Sequence, residues 1–516
     1  MKAKYVISIY IFSLLLGFFP AAATAASNAA IEAALTPSVC FTVNQVHLIG
    51  IQRLVKIDSR QVNVWRKKIE GQCVNKQGLL DYADAITSEL ASAGYLTSYL
   101  YYPQQTFLFG IVQAEIVVGT VSSLLYKNEN GDIQPLLHAF PVKAGDVLDL
   151  RAIEQGLYNL QNASLLSYNI NLLHDDQTKN TTRIIVIGEH QRAWQGALSF
   201  KANTISNALM IANPLLRNDF IYLNASRYLN DEERDNTKSI TLLYSRPYHY
   251  WLFSASGSYQ QRQMPITLYN IDLPMQQRSQ MLLLQAEYIL NRTENTVTSL
   301  GIGNEIQKVD TFISDQRLQT QKRLANYIIA ELSHQVSFWR GQATFTLRYK
   351  QGTDWFGTNS QQITGLDKPQ IFQLSLSSLW ERLPFYYHSE VDVQLSRSKL
   401  DNLLEQSPLT GEGGISGFTG KSNGSETKDH HLKLSNELRW QTPWQQIQFY
   451  ASFGLGTTAN DRATFWKDSL LVGGKMGAKG QLGSLSYHFF IESPFWQVGQ
   501  FTIEPTNTGL ELSLNY

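Results

Sequence analysis

Net charge, cysteine and long apolar runs are all scarce in this 516-residue chain. Its 43 basic residues balance its 43 acidic residues, so it lacks the basic excess of a typical nucleic-acid-binding protein, and we expect no nucleic-acid partner. No Walker-type glycine loop occurs, so we expect no nucleotide site and no other cofactor.

Nothing in the sequence favours catalysis. The ten histidines are scattered, and His430 and His431 open a predicted strand in which neighbouring side chains point to opposite faces. That geometry is wrong for a shared metal site, and we expect both side chains to be solvated. The segment Gly414–Phe418, GISGF, superficially resembles a nucleophile elbow but lacks its strand–turn–helix context. The sequence thus predicts no catalytic residue, no metal site and no enzyme.

Cys40 and Cys73 are the two cysteines of the chain. Two thiolates without a nearby histidine pair do not complete a zinc site. In an exported chain an even pair favours a disulfide, so we predict a bridge that closes a loop within one small domain.

The N-terminus carries the chain's one long apolar run, at residues 5–19. Lys2 and Lys4 precede it, and Ala23-Thr24-Ala25 follows as an A-x-A site. This layout predicts a signal peptide over residues 1–25, cleaved after Ala25, with an uncleaved anchor as the alternative. No later window holds ~20 consecutive apolar residues, so we expect no membrane-spanning helix in the mature chain.

After a short segment, 26–37, helical and strand-like patterns alternate as far as residue 190. Residues 75–94 and 148–162 each place apolar side chains at helical spacing. The first set is Leu79, Tyr82, Ala83, Ile86 and Leu90, and the second is Leu150, Ile153, Leu157 and Leu160. With the strand-like segments around them, these helices predict two α+β domains, over 38–119 and 120–190.

From residue 191 to 516 the period changes to two. Apolar and polar residues alternate over 251–260, 342–350 and 510–516, for example. A soluble sandwich would also alternate, but strands of ten or more residues, aromatic residues near strand ends and charges in strand centres favour a membrane barrel. Because lipid forbids open sheet edges, we predict an all-β, 16-stranded antiparallel transmembrane barrel.

A polar, glycine-rich segment, 398–429, separates the eleventh and twelfth predicted strands and includes GEGGISGFTG. A barrel of this size has a lumen wide enough for a channel unless something fills it. We expect this segment to be the filler, with a solvated surface loop as the alternative.

Five stretches resemble one protein family. CFTVNQVHLIG at 40–50 and the region 71–105 resemble a first periplasmic POTRA domain, and residues 140–162 resemble a second. ANPLLRNDFIYLNASR at 212–227 is similar to the second barrel hairpin, and HLKLSNELRWQTPW at 431–444 to the strand after the lumen loop. The combination resembles the haemolysin secretion/activation family of outer-membrane transporters, which serve two-partner secretion (type V).

This resemblance implies a Gram-negative outer-membrane protein with its POTRA domains in the periplasm. Its expected partners are an extended exoprotein, haemolysin- or haemagglutinin-like, the outer-membrane bilayer, and the barrel-assembly machinery during biogenesis. Tyr516 would be the C-terminal assembly signal. The sequence leaves open whether the client is a haemolysin, an adhesin or a contact-dependent toxin. Alternatives are a barrel insertase or a passive porin-like channel.

The family's loop signature, Val-Arg-Gly-Tyr, corresponds here to Ile415, Ser416, Gly417 and Phe418, after Gly413 and Gly414. In the family the arginine pairs with an aspartate on the wall. Gly454 occupies that aspartate position, with Gly456 beside it, so both charges are missing.

Loss of both partners of a buried pair can be nearly neutral. We therefore expect the loop to be anchored by its backbone and by packing of Phe418, the alternative being a weakened transporter. Residues 26–39 are too few for a helix that crosses a ~30 Å membrane, so we expect the loop alone to close the pore.

Overall fold

A computed structural model describes the chain from residue 40 to residue 516, with gaps. The gaps are 128–132, 136–138, 163–167, 189–193, 202–203, 216, 229–236, 269–270, 359–367, 402, 406–408, 410–413, 417, 419–427, 445–446, 462–463, 465, 468 and 499–505. The predicted signal peptide and the segment 26–37 lie outside the described residues. None of the helices within the described residues has the length and apolarity needed to cross a membrane.

The chain divides into two compact units, with the main boundary in the sequence after residue 191. The first half of the N-terminal unit has a three-stranded sheet of order β2-β5-β4, in which β2 and β5 are parallel, and a separate β1–β3 pair. Its elements are β1 (Phe41–Thr42), β2 (Gln45–Ile49), a 3-10 helix (Ile51–Arg53), α1 (Ser59–Lys67), β3 (Cys73–Val74), α2 (Lys76–Ser92), β4 (Tyr99–Tyr101), a 3-10 helix (Leu108–Gly110) and β5 (Ile111–Val117).

The second half of this unit has a four-stranded sheet of order β7-β6-β9-β8. Its elements are β6 (Thr120–Lys127), β7 (Ile133–Pro135), α3 (Leu150–Asn162), β8 (Tyr168–His174) and β9 (Thr181–Gly188). Each half has its own apolar core between sheet and helix, so each is a small α+β domain.

The helix predicted over 75–94 is α2. All five of its predicted core-facing residues are buried. Asn75 caps the helix by accepting a hydrogen bond from the N–H of Gly78, and Gly94 follows its end with φ +103°.

Sequence reasoning missed α1, although Asp58 is a typical N-cap residue and accepts from the Gln61 N–H at 2.8 Å. Its Trp65 is fully buried, and the indole N–H donates to Glu89 of α2.

The predicted disulfide is present. Cys40 and Cys73 are bonded, with Cα atoms 5.4 Å apart and 33 positions apart in sequence. The bond joins the start of β1 to β3, which also pair through Thr42 and Cys73. It therefore closes a loop within the first small domain.

Sixteen antiparallel strands form a closed barrel, as predicted from the alternating pattern. They are β10 (Trp194–Lys201), β11 (Thr204–Ala212), β12 (Phe220–Tyr228), β13 (Lys238–Tyr248), β14 (Trp251–Leu268), β15 (Ile271–Arg292), β16 (Thr296–Ile313), β18 (Arg323–Phe338), β19 (Gly341–Thr353), β20 (Gln370–Arg382), β21 (Phe385–Ser396), β22 (His430–Gln441), β23 (Ile447–Ala459), β24 (Leu470–Leu482), β25 (Leu485–Val498) and β26 (Asn507–Asn515). β17 (Gln316–Arg317) is a short extension beside β16, and 3-10 helices follow at Gln319–Gln321 and Trp355–Gly357. Pairing of β10 with β26 closes the ring.

Alternation along each strand separates the outer face from the lumen. In β23, Phe449 and Phe453 are 43% and 42% exposed on the outer face, whereas Tyr450, on the opposite face, is 7% exposed. Residues Trp251 and Phe253 of β14 follow the same outward pattern. The outer face is apolar, as expected for strands that contact lipid.

The expectation that His430 and His431 are solvated is wrong, since both are buried. The His430 ring Nδ1 accepts the Ser396 N–H at 3.0 Å, and His431 Nε2 lies 2.5 Å from Asp392 Oδ1. Both contacts are made to β21, the strand hydrogen-bonded to β22 in the barrel. The burial of the two histidines could not be predicted from the sequence of β22, because their hydrogen-bond partners lie on β21.

Candidate functional site: the lumen loop and the barrel wall

Residues 397–429 connect β21 to β22, the eleventh and twelfth strands of the barrel. The barrel starts at Trp194 and its strands alternate in direction, so β21 finishes at the opposite end from Trp194. We call residues 397–429 the lumen loop. Its described residues are 397–401, 403–405, 409, 414–416, 418 and 428–429, so Gly413 and Gly417 lie outside the described residues.

The tip of the lumen loop is an apolar cluster. Leu409, Ile415 and Phe418 are 0%, 3% and 6% exposed, and they pack with Leu471 of β24. Backbone hydrogen bonds shape the tip: Ile415 N–H donates to Leu409 O at 2.8 Å, and Phe418 N–H donates to Ile415 O at 2.9 Å. Burial of these side chains stabilises the tip by roughly 1.5–3 kcal/mol per residue.

Three glycines of the wall make room for the tip. Gly454 and Gly456 lie on the lumen face of β23, opposite the exposed Phe453. A Cβ on Gly456 would lie 2.6 Å from Ile415 Cδ1, and one on Gly473 of β24 would lie 2.1 Å from Ser416 O. Any larger residue at these two positions would push the loop off the wall, which explains why glycine occurs there.

Ser416 lies directly against Gly454. A Cβ built on Gly454 would be 3.1 Å from the Ser416 backbone N and 3.6 Å from the Ser416 Cβ. The Ser416 hydroxyl is 3.4 Å from that of Ser452. The two positions that sequence reasoning assigned to the family's arginine and aspartate are therefore neighbours in space, and neither carries a charge.

Sequence reasoning included the first part of the lumen loop in the predicted segment 398–429 but did not single out its two acidic residues. Asp401 and Glu405 are 6% and 9% exposed, and they contact Arg323 and Tyr327 of β18. Nothing in the spacing of these two acidic residues indicates which strand the loop contacts.

Sequence reasoning also missed Leu409, Leu471 and Gly473, because apolar and small residues recur throughout the barrel pattern. The remaining predicted position, Tyr516, lies at the seam between β26 and β10. Across the described residues, no cluster of three or more His, Cys, Asp or Glu side chains could hold a metal ion.

Comparison with known proteins gives three family matches. Residues 194–480 match the family described as haemolysin secretion/activation protein ShlB/FhaC/HecB. Residues 41–119 match the ShlB-type POTRA domain, and residues 121–173 match a POTRA domain.

Several characterised proteins are similar along most of their length. Outer membrane transporter CdiB-2 of Burkholderia pseudomallei (strain 1026b) is 21% identical over 478 residues, 88% of this chain and 80% of that protein. Hemolysin transporter protein ShlB of Serratia marcescens is 22% identical over 435 residues, 81% of this chain and 73% of that protein.

Among solved structures, CdiB from Escherichia coli has the same fold, with a TM-score of 0.81, 20% identity, and coverage of 99% of this chain and 98% of that one. CdiB from Acinetobacter baumannii gives a TM-score of 0.77 at 18% identity, over 94% and 91% of the two chains. The match over 194–480 spans more than half of the chain. The chain therefore belongs to the ShlB/FhaC/HecB haemolysin secretion/activation family, and it is an outer-membrane transporter of two-partner secretion whose POTRA domains lie in the periplasm.

Proposed function

We propose that this chain captures an exoprotein in extended form through its POTRA domains and exports it through its barrel, with the client taking the space of the lumen loop. The observation that supports this most directly is the combination, in one chain, of an α+β unit with an open strand edge and a closed barrel with a loop packed inside its wall.

The open edge is that of β2. β2 lies at one side of its sheet, and within the part of the chain that the structure describes its one strand partner is β5, in parallel. The Val46 N–H points away from β5 and donates to the Glu70 carboxylate at 2.9 Å, so a client strand would replace the Glu70 side chain at this edge. An extended client segment can add to such an edge through main-chain hydrogen bonds, with side-chain pockets giving specificity.

A groove runs beside this edge. It has a volume of about 540 Å³ and lies between β2, α1 and the start of β5. Phe109 and Ile111 line it while 85% and 43% exposed, and Arg66 and Glu70 add charge of both signs. Large exposed apolar side chains beside a strand edge suit the alternate side chains of a bound extended segment.

The barrel offers the path. A 16-stranded barrel is wide enough for a channel once its lumen is cleared. The loop tip is held there by packing against Gly454, Gly456 and Gly473 and by no covalent bond among the described residues, so a client can displace it. The exposed outer face would contact outer-membrane lipid, and the barrel-assembly machinery would insert the barrel, with Tyr516 as its signal.

Secretion tests the proposal. Cells would express a candidate large exoprotein from the same operon with and without this chain, and the medium would be assayed for the client. We expect the client in the medium only with the chain. A client that stays in the periplasm, while the barrel is inserted and heat-modifiable on gels, would contradict export of that client.

A pair of variants tests the recognition step. Phe109→Ala removes the exposed ring from the groove, and we expect it to reduce secretion about tenfold. Val55→Ala is the matched control, because Val55 is 94% exposed in the same domain and does not line the groove. Equal secretion by both variants would show that the client does not bind at this edge.

A further inference from the structure

The loop tip leaves a question about how the lumen loop is held. Ser416 and Gly454 face each other without charge, and the described residues of the tip are held by apolar packing, backbone contacts and the Ser416–Ser452 hydroxyl contact. Such packing fixes a loop less specifically than a buried ion pair does, because an ion pair has a defined geometry.

A buried ion pair is present elsewhere in the same loop. The Arg323 Nε of β18 lies 2.5 Å from Asp401 Oδ2, and the two side chains are 9% and 4% exposed. Arg323 also donates to the backbone O of Thr320 at 2.6 Å, which fixes the guanidinium at the start of its strand.

Four residues further along β18, on the same face, the Tyr327 hydroxyl donates to the Glu405 carboxylate. Tyr327 is fully buried on the lumen face, since its neighbour Ile328 is exposed on the outer face. The backbone O of Glu405 accepts from Gln394 Nε2 at 3.1 Å. The loop is therefore held from β18 and from β21.

The loop side of these contacts is preorganised. The Asp401 N–H donates to Glu405 Oε2 at 2.7 Å, and the Glu405 N–H donates to Asp401 O at 3.0 Å. Asp401 Oδ1 in addition accepts the Leu403 N–H at 2.9 Å. This single turn presents both carboxylates to the wall together, so binding of one side chain favours binding of the other.

The wall side extends across two more strands. Lys350 of β19 lies 4.6 Å from the centre of the Tyr327 ring, and its Nζ contacts Glu305 of β16 at 2.7 Å. Lys350 and Glu305 are 8% and 6% exposed. Tyr327 is thus held between the loop and a second buried pair, which limits its freedom to rotate away.

We infer that Asp401 and Glu405 form the polar anchor of the lumen loop, Asp401 through its ion pair with Arg323 and Glu405 through the hydrogen bond from Tyr327. This anchor stands in for the charged pair absent at Ser416 and Gly454. The anchoring is a property of the closed pore. Its release during passage of a client rests on the proposed export function.

The anchor can be tested without any client, by recording the ion conductance of the purified full-length chain in planar lipid bilayers. The fraction of time that the pore is open reports how firmly the lumen loop is held. Asp401→Asn removes the charge, keeps the side-chain shape and leaves the Arg323 guanidinium buried without its anion. Arg323→Gln removes the cation and leaves the Asp401 carboxylate buried without its partner. We expect each single variant to raise the open fraction of the pore at least tenfold.

The double variant R323Q/D401N restores a neutral, hydrogen-bonding pair, so we expect its open fraction to lie nearer the wild-type value than that of either single variant. This coupling separates an anchor from a general structural role. Asp310→Asn is the matched control, because Asp310 pairs with Arg317 at 2.7 Å within the wall and is 8% exposed.

Tyr327→Phe is a further variant that is expected to fold normally, since it removes only the hydroxyl that donates to Glu405. We expect it to raise the open fraction of the pore several-fold. Conductance equal to that of the D310N control in all three single variants, or additive effects in the double variant, would overturn the anchor. Failure of secretion with conductance as expected would contradict the export function and leave the anchor standing.

Discussion

The ring of Tyr516 covers Gly196 at the seam of the barrel. The two residues exchange both backbone hydrogen bonds, N–H of each to O of the other, at 2.9 Å. A Cβ on Gly196 would lie 2.3 Å from Tyr516 Cε2, so only glycine accepts the ring in this position. The Tyr516 hydroxyl accepts from Asn207 Nδ2 at 2.8 Å, and the ring meets Trp194 edge-on at 6.3 Å.

Gly196→Ala would weaken closure of the barrel. The seam pairs five residues of β10 with β26, against eight pairs between β10 and β11, so the Tyr516 contacts form a large share of it. The added methyl group displaces the ring, and we expect a cost of about 1–3 kcal/mol. The measurement is the temperature at which the barrel loses its heat-modifiable mobility on gels, which should fall.

Gly257→Ala is the control for this prediction. Gly257 lies on the same outer face, on β14, and a Cβ there would have only Met281 O near it, at 3.9 Å. We expect its transition temperature to equal that of the wild type. Equal transition temperatures for the two variants would show that Tyr516 does not secure the seam.

An arginine at position 416 and an aspartate at position 454 should form an ion pair between the loop tip and the wall. Ser416→Arg or Gly454→Asp alone buries an unpaired charge, which costs roughly 3–5 kcal/mol, so each single variant should raise pore conductance. The double variant S416R/G454D pairs them, and we expect conductance near that of the wild type. Secretion by the double variant would show whether the charged tip also supports transport.

Gly454→Ala separates the effect of the added side-chain volume from the effect of the added charge. A Cβ at Gly454 lies 3.1 Å from Ile415 Cγ2, so the tip must move by a few tenths of an ångström. We expect a small rise in conductance, well below that of Gly454→Asp. If the double variant conducts as much as the two single variants combined, the charges do not meet across the lumen.

Loss of the disulfide would destabilise the first POTRA domain. The Cys40–Cys73 bond closes a loop of 33 positions, for which the chain-entropy model gives about 4 kcal/mol. Pulse proteolysis of the full-length C40A/C73A variant in urea should therefore show a lower midpoint for cleavage of the N-terminal unit. Reduced wild-type protein serves as the comparison, and an unchanged midpoint in both samples would contradict this role.

The closed state of the lumen loop should depend on pH through Glu405. Burial, together with the charge of Asp401, raises the pKa of Glu405 to about 7, although the hydrogen bonds from Tyr327 and from the Asp401 N–H and the charge of Lys350 oppose this rise. The other charged groups around it are Lys350, Glu305 and Arg323, so the cluster holds three carboxylates and two cations.

In a released loop the pKa of Glu405 returns to its usual value near 4.5. The closed state therefore binds more protons between these two values, and it is favoured as the pH falls through about 7. We expect pore conductance to decrease when the pH is lowered from about 8 to about 5.5. Glu405→Gln, neutral at every pH, should conduct little throughout, and a persistent pH response in that variant would exclude Glu405 as the sensor.

The strand pattern and the α2 face were predictable because both depend on local alternation of apolar and polar residues. Leu79 and Ile86 are buried for the same reason that their spacing is helical, and Phe449 faces outward because every second residue of a barrel strand does. Helix α1 escaped prediction because it is only nine residues long and contains three apolar residues, Val62, Val64 and Trp65.

The sequence by itself determined the two α+β domains and the 16-stranded barrel, since both follow from periodicity along the chain. It also determined the disulfide, through the single cysteine pair of an exported chain, and the missing charges at Ser416 and Gly454, through the resemblance to the family's loop signature. Only the tertiary structure decided which wall strands hold the lumen loop. Asp401 and Arg323 are 78 positions apart, and nothing in the local pattern of either segment specifies the other. Their pairing follows from closure of the barrel, which brings the loop and the lumen face of β18 into contact.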